Sequence, residues 1–489
     1  MTQRYTRELH RAGPIPTRSR VFQGLGALPN TYKDFAFNTF LLFFYNQVLG
    51  LSPALASLAI MFAIVADAIS DPLVGSYSDR LTHKLGRRHP LMYAAALPLG
   101  VCITLLFTPP NGLTHNALFL WLLIFSIGTR TAMTFFLVPW SALYAELTDD
   151  YEERTALLSY RFLIGFAGGV TFSWCTWTFI FPSTETFNPG QLNPDAYLVF
   201  AVVLGVLVTF FALATTHLTK REVPYLLQPD VKQTFRLKFL FADFWSALSN
   251  RDYLVLFIGL LFSSAITGTL AALEIYLNTY FWGLGPEDLR WFALAASGAL
   301  LAFLTITWLQ SRFDKKHLLI ASMLISLAKG ITLINLRLAG LLPDNDTAAL
   351  LYILLVNEFV GAYVLTITVM MFISMVADTL DAQELATGQR QEGMFSAAIS
   401  FSAKATTGLG VLFAGLVLEM LIGFPQQATP DTLPEELLMR MGIVIGIAIP
   451  LCYLLPFYIA SRYNISRERH TQIRNALDQQ RLQASRTAG

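Results

Sequence analysis

The chain has 489 residues, of which 54% are hydrophobic and only 14% charged, against about 25% charged in a soluble domain. With 38 Phe and a mean hydropathy of +0.51, it reads as a membrane protein. A net charge of +1 from 34 basic and 33 acidic side chains leaves no surplus to hold a nucleic acid. Cys102, Cys175 and Cys452 stand alone in apolar runs, so they read as small buried hydrophobes rather than disulfides or metal ligands.

In chain order, residues 1–22 form a polar arm with Arg4, Arg7, Arg11, Arg18 and Arg20 and no apolar stretch of the kind a cleavable signal needs. A hydrocarbon core of about 30 Å takes roughly 20 residues of helix, and twelve apolar runs are placed on that basis. Six fall in residues 23–219: Leu25–Leu49, Leu55–Tyr77, Leu91–Phe107, Ala117–Tyr144, Leu157–Phe181 and Tyr197–Thr215. A polar central loop, 220–251, carries Lys220, Arg221, Lys232, Arg236 and Lys238. Six more fall in 252–461: Tyr253–Trp282, Trp291–Leu309, Leu318–Ile334, Ala348–Ala377, Met394–Ile422 and Leu438–Ile459. Residues 462–489 are a basic tail, read either as an amphipathic helix on the anionic inner leaflet or as a solvated segment.

Lys and Arg gather in the even-numbered connections, as at Arg80, Lys84, Arg87 and Arg88 and at Arg312, Lys315 and Lys316, while the odd ones hold chiefly Arg290 and Arg337. Cytoplasmic loops accumulate these residues, so both termini are expected in the cytoplasm. The expected fold is an all-α membrane protein with twelve transmembrane helices in two six-helix bundles and a path between them. Gly75-Ser76-Tyr77-Ser78-Asp79-Arg80 followed by Gly86-Arg87-Arg88, with a fainter echo at Arg312-Phe313-Asp314-Lys315-Lys316, resembles the loop signature of the major facilitator superfamily. That resemblance implies a latch of Asp79, Arg80, Arg87 and Arg88 at the cytoplasmic helix ends.

An ionisable side chain at bilayer depth costs at least a few kcal/mol unless it is paired or hydrated, so each marks a candidate site. Asp67 and Asp71 lie one helical turn apart and stack on one face. Two such carboxylates repel unless a cation sits between them, which suits Na⁺ or a proton, with Ser70 and Thr134 adding hydroxyl oxygens. The other reading pairs the aspartates with Arg130 or Lys404. Lys33 and Asp34 are adjacent, so on a helix they are expected not to face each other and to need other partners, for which Arg161 and Lys404 are the complementary charges. These four residues either surround a polyhydroxylated solute or hold the bundles together. Trp140, just after Pro139, is the candidate stacking surface, while Tyr32, Phe35 and their aromatic neighbours read as core or lipid-facing. Lys329 and Glu419 read as snorkelling or interfacial, and Glu274 and Glu358 have no assigned role.

Lys33-Asp34-Phe35-Ala36, Asp67-Ala68-Ile69-Ser70-Asp71-Pro72, Gly86-Arg87-Arg88-His89-Pro90, Tyr160-Arg161-Phe162 and Glu392-Gly393 followed by Lys404 resemble the glycoside-pentoside-hexuronide:cation symporter family, the group of the bacterial melibiose permease. The resemblance implies a cation site at Asp67, Asp71 and Thr134, and a sugar site at Lys33, Asp34, Arg161, Lys404 and Trp140. Leu137 departs from the permease, which has a sugar-binding aspartate there, and Val138-Pro139-Trp140-Ser141-Ala142-Leu143 is similar to the vertebrate sodium-dependent lysophosphatidylcholine symporter of the same broad group. The reading is therefore Na⁺- or H⁺-coupled symport of a sugar or glycoside in a bacterial inner membrane, with salt bridges at the cytoplasmic loops favouring an outward-facing state. It takes no cofactor beyond the coupling ion and no partner but lipid, and it is expected to work as a monomer. The rivals are symport of an amphipathic zwitterion and a non-transporting receptor. No His-Glu-x-x-His, phosphate-binding glycine loop or nucleophile constellation suggests an enzyme.

Overall fold

In hydrocarbon every backbone N–H and C=O has to be satisfied within its own segment, so apolar runs of this length fold as helices. The computed structural model describes residues 5–6, 13–148, 150–226, 228–229, 251–345, 347–387, 404, 406–463 and 467–487. The predicted motif Glu392-Gly393, the arm residues Arg4, Arg7 and Arg11 and the loop residues Lys232, Arg236 and Lys238 lie outside the described residues.

Short α1 (Thr17–Gly24) leads into α2 (Ala27–Phe35), which continues through two π-helical stretches, Ala36–Leu41 and Phe44–Val48. Five helices complete the first half: α3 (Pro53–Arg80), α4 (His89–Leu106), α5 (His115–Leu147), α6 (Glu152–Ile180) and α7 (Pro194–Thr219). The second half holds α8 (Leu254–Phe281), α9 (Pro286–Arg312), α10 (Lys315–Leu338), α11 (Ala348–Thr387), α12 (Thr406–Ile422) and α13 (Glu435–Ser461). Ten of the described helices are long and apolar enough to cross a membrane, with α12 a shorter apolar one. The outward faces are correspondingly greasy, with Leu97, Phe179, Leu304 and Met420 all more than 60% exposed. Between the described parts of the arm and the central loop, Tyr5–Thr6 pairs antiparallel with Gln228–Pro229.

The halves echo each other. α2, α6, α8 and α12, the first and fifth helices of each half when the α1–α2 run counts as one, all end in π turns at the end away from the basic loops. The loop signature is shorter than its residues suggest, because Gly75–Arg80 forms the closing turns of α3 and the connection is only 81–88. The tail is helical, as one of the two sequence readings has it: α14 (Arg467–Thr487) packs on the second half, with Ile473 and Leu477 buried beside Met375 and Tyr463.

Candidate functional site

Asp67 sits midway along α3, and Pro72 inside that helix removes one backbone N–H and frees a carbonyl. Thr134, from the middle of α5, places its hydroxyl 2.7 Å from Asp67 Oδ1 and 3.0 Å from Asp71 Oδ1. Ser70 Oγ donates to the Asp67 carbonyl at 3.0 Å and lies 3.3 Å from Thr134 Oγ1. The i,i+4 reading of the two aspartates therefore holds in space, and four side chains from two helices bring their oxygens together.

A protein cation occupies the gap between the carboxylates. Lys404 of the second half donates to Asp67 Oδ2 at 2.9 Å and also to Asp71 Oδ2, while Arg130 stands 3.8 Å from Asp67. Small residues let α12 come this close: a Cβ on Gly415 would meet Ser57 Oγ of α3 at 2.1 Å. Lys404 is thus found on the aspartates and not beside Lys33 and Asp34. Lys33 and Asp34 also correct the expectation, for they bond each other at 2.7 Å. The flexible lysine stem curls back along the helix, and Asn30, one turn earlier, donates to Asp34 Oδ2 at 2.7 Å. The aspartate site then carries two negative groups, Asp67 and Asp71, against two positive ones, Arg130 and Lys404.

Arg161 and Trp140 lie apart from this group. The Arg161 guanidinium covers the Trp140 ring at 3.8 Å, and the buried indole donates its Nε1–H to the Gln23 carbonyl at 2.9 Å. Trp140 offers no open face to a sugar in this conformation. A cavity of about 410 Å³ runs between the halves, lined by Phe37, Ile64, Arg130, Phe372, Ile373 and Thr407 among others. A second, of about 310 Å³, is lined by Phe35, Asn38, Trp177, Glu274 and Asn278.

At the basic end Arg88 donates to Asp79 at 2.6 Å, to Ser78 at 2.8 Å and to Glu146 at 2.7 Å, and Arg87 reaches Glu146 at 2.8 Å. Glu146 was not among the expected latch residues, though a lone acid closing span four opposite an arginine-rich loop is a readable signal. Its counterpart is Asp378 of α11, held by Lys315 at 2.7 Å. His470 of α14 adds contacts to Asp378 and Asp381. These latches join helices within one half.

The ends opposite are joined across the halves. Tyr276 donates to Asn46 at 3.0 Å and Tyr280 to Gln47 at 2.9 Å, while Gln47 donates to the Pro425 carbonyl at 3.0 Å. Gln191 donates to Thr279 at 3.0 Å, and Glu419, read as interfacial, accepts from the Ala54 N–H at 2.9 Å.

The chain is 24% identical to the putative glycoside/cation symporter YagG of Escherichia coli, with 93% of each chain covered. It is 26% identical to the isoprimeverose transporter of Lactiplantibacillus pentosus over 79% of this chain and 78% of that one. To the sodium-dependent lysophosphatidylcholine symporter 1 of Xenopus tropicalis it is 23% identical over 94% of this chain and 89% of that one. Its fold is similar to that of a bacterial homologue of the human lysosomal transporter Spinster in an inward-facing conformation, with a TM-score of 0.61, 15% identity and 92% and 98% of the two chains covered. Residues 22–467 match the MFS/sugar transport protein family, and with nearly the whole chain inside the match, the protein belongs to it.

Proposed function

We propose that this protein is a symporter that couples entry of Na⁺ or H⁺ to transport of a sugar or glycoside by alternating access. Counting the α1–α2 run and α12 as crossings gives twelve, six to a half, with the cavity between them as the path. The basic end is then cytoplasmic, in a bacterial inner membrane, and one chain suffices to form the path. The observation that carries the reading is the Lys404 ammonium lying between Asp67 and Asp71, because it is the described charged contact that joins the halves at mid-helix depth. A cation arriving at those oxygens displaces Lys404, which loosens the tie and frees the ammonium to donate to a solute hydroxyl beside Lys33 and Asp34. Ion and solute each favour the other's binding by the same free energy, which is the requirement for coupling.

The test is uptake into energised vesicles of labelled glycosides, uronides and lysophospholipids, with Na⁺ and pH gradients applied separately. Accumulation of one solute under one gradient, lost in Asp71→Asn while solute exchange persists, is expected. Uptake indifferent to both gradients and to the substitution refutes the reading. The largely apolar wall of the 410 Å³ cavity, Phe37, Ile64, Phe372 and Ile373, with Arg130 at its side, favours a second solute class, an amphipathic zwitterion. The lysophospholipids in the panel decide between them.

A further inference from the structure

Several arginines and lysines of the basic end are held by acids or carbonyls of the protein. Arg87 and Arg88 are on Glu146 and Asp79, Lys315 is on Asp378, and Lys316 donates to the Tyr463 carbonyl at 2.9 Å. A group in the first half is different. Arg18 of α1, His217 in the last turn of α7, and Lys220 and Arg221 of the 3₁₀ turn that follows it line an open pocket of about 620 Å³, together with Leu218. No acid lines this pocket among the described residues. Glu222, next in the chain, is only 3% exposed and accepts from the Ser19 hydroxyl at 2.6 Å.

The protein sets these groups in place. Arg221 Nε donates to the Leu218 carbonyl at 3.0 Å, and the guanidinium covers the Phe22 ring at 5.0 Å. A guanidinium has five N–H groups, so most of the fork is left for an acceptor in the pocket. The His217 ring is held from α4, where the Tyr93 hydroxyl lies 3.2 Å from its Nδ1. Three permanent positive charges around one opening, with no acid in its wall, make a site for an anion.

The surface next to the pocket says which anion. Going back along α7 from His217 at steps of three and four residues come Leu213, Phe210 and Val206, and along α4 from Tyr93 come Leu97 and Val101, all between 39% and 65% exposed. The Tyr93–His217 contact joins these two apolar faces at the basic end. The helices cross closely behind them, because a Cβ on Gly100 would meet the Gly205 carbonyl at 2.7 Å. From His217 to Val206 is eleven residues, about 16 Å of helix, and one leaflet of a 30 Å hydrocarbon core is about 15 Å deep. The basic pocket therefore stands at headgroup level above a strip that acyl chains cover.

We propose that Arg18, Lys220 and Arg221, with His217, bind the phosphate of an anionic phospholipid in the leaflet at the basic end, its chains lying on the exposed faces of α4 and α7. Basic pockets between membrane helices take such headgroups. The bound lipid ties α1 to the end of α7. The pocket shares no lining residue with either cavity between the halves, so this site is independent of the proposed ion and solute path.

Native mass spectrometry of the purified full-length protein in neutral detergent, titrated with phosphatidylglycerol, phosphatidylcholine or inorganic phosphate, tests this without a transported solute. The wild type takes up one phosphatidylglycerol well before any phosphatidylcholine, and inorganic phosphate does not displace it. The triple variant Arg18→Gln, Lys220→Gln, Arg221→Gln binds that first lipid about a hundredfold more weakly, at about fivefold for each charge. All three side chains are exposed, so the variant keeps its fold and its unfolding temperature in lipid-free detergent. A second triple variant of equal charge, Lys84→Gln, Arg462→Gln, Arg469→Gln, binds like the wild type, and so does Arg221→Lys to within a few-fold. Equal affinity in the first variant and the wild type, or an equal loss in the second, which would make net charge the cause, overturns the proposal. Displacement of the lipid by inorganic phosphate also overturns it, by making the pocket a site for free phosphate. Asp71→Asn leaves lipid binding unchanged whether or not it abolishes gradient-driven uptake, so this proposal and the symport reading fail separately.

Discussion

At the basic end Arg87 and Arg88 grip Glu146 and Asp79 inside the first half, and Lys315 and His470 grip Asp378 inside the second. At the opposite end the bonds run between the halves, and most are neutral: Tyr276 to Asn46, Tyr280 to Gln47, Gln191 to Thr279. The difference fits what each end has to do. Charged latches make each half rigid where it meets water, and breaking one is expensive because it strands a buried charge. Neutral hydrogen bonds are worth about 1 kcal/mol each net, so a handful can close one end and still be exchanged for water when that end opens. The Lys404 contact is of a third kind, an ion pair across the halves, and it stands at the proposed ion site.

The largest effect is expected from removing that ion pair. Lys404→Met leaves Asp67 and Asp71 facing each other with Arg130 alone for compensation, at a cost of about 2–3 kcal/mol once their partial exposure is allowed for. Thermal unfolding in Na⁺-free buffer drops by several degrees, and Na⁺ restores more stability to the variant than to the wild type, since the ion no longer competes with the ammonium. Equal Na⁺ responses would mean that the ion does not bind there. Glu146→Gln comes next: it leaves the nearly buried Arg88 with Asp79 and Ser78 only, costing about 2 kcal/mol. A lower unfolding temperature, with the separation between labels on the two halves unchanged at the opposite end, separates a latch within one half from a tie between halves.

Much of this contrast was visible in the sequence, and the rest was hidden for physical reasons. Helix length, the sidedness of Lys and Arg and the i,i+4 aspartates depend on local spacing, and Thr134 proved to be their neighbour. Which partner a buried charge takes depends on how helices far apart in sequence are packed. So the assignment of Lys404 and Arg161 to Lys33 and Asp34 failed, while the alternative pairing of the aspartates with Lys404 and Arg130 is what the fold contains. The cover on Trp140 was hidden for the same reason, because nothing in its own span announces that Arg161 of α6 lies over it. Asn46 and Gln47, two amides inside an apolar run, were a signal left unused.

A smaller effect is expected at the closed end. Tyr280→Phe removes the hydroxyl that bonds Gln47 Oε1 at 2.9 Å and the Ala428 carbonyl at 3.0 Å. The loss, about 1 kcal/mol, is roughly a fivefold shift in population toward the state open at that end. Distances between spin labels on the Gly50 and Phe424 loops report it, as a larger long-distance fraction with no change in unfolding temperature. An unchanged distance distribution would show that the aromatic contacts of Tyr280 with Phe43 and Phe424, which phenylalanine retains, close this end without the hydroxyl.

The smallest effect is expected where a charge pair has neither burial nor a second half to hold. Arg440 and Glu436 meet at 3.2 Å one turn apart near the start of α13, with side chains 50% and 84% exposed. Water and salt screen such a pair, and holding two long side chains in one geometry costs entropy, so its worth is at most about 0.5 kcal/mol. Arg440→Ala therefore leaves unfolding temperature, label distances and uptake within error of the wild type. A clear drop in any of them would mean that charge at this end does contribute to closure, and the division between charged latches inside halves and neutral bonds between them would have to be redrawn.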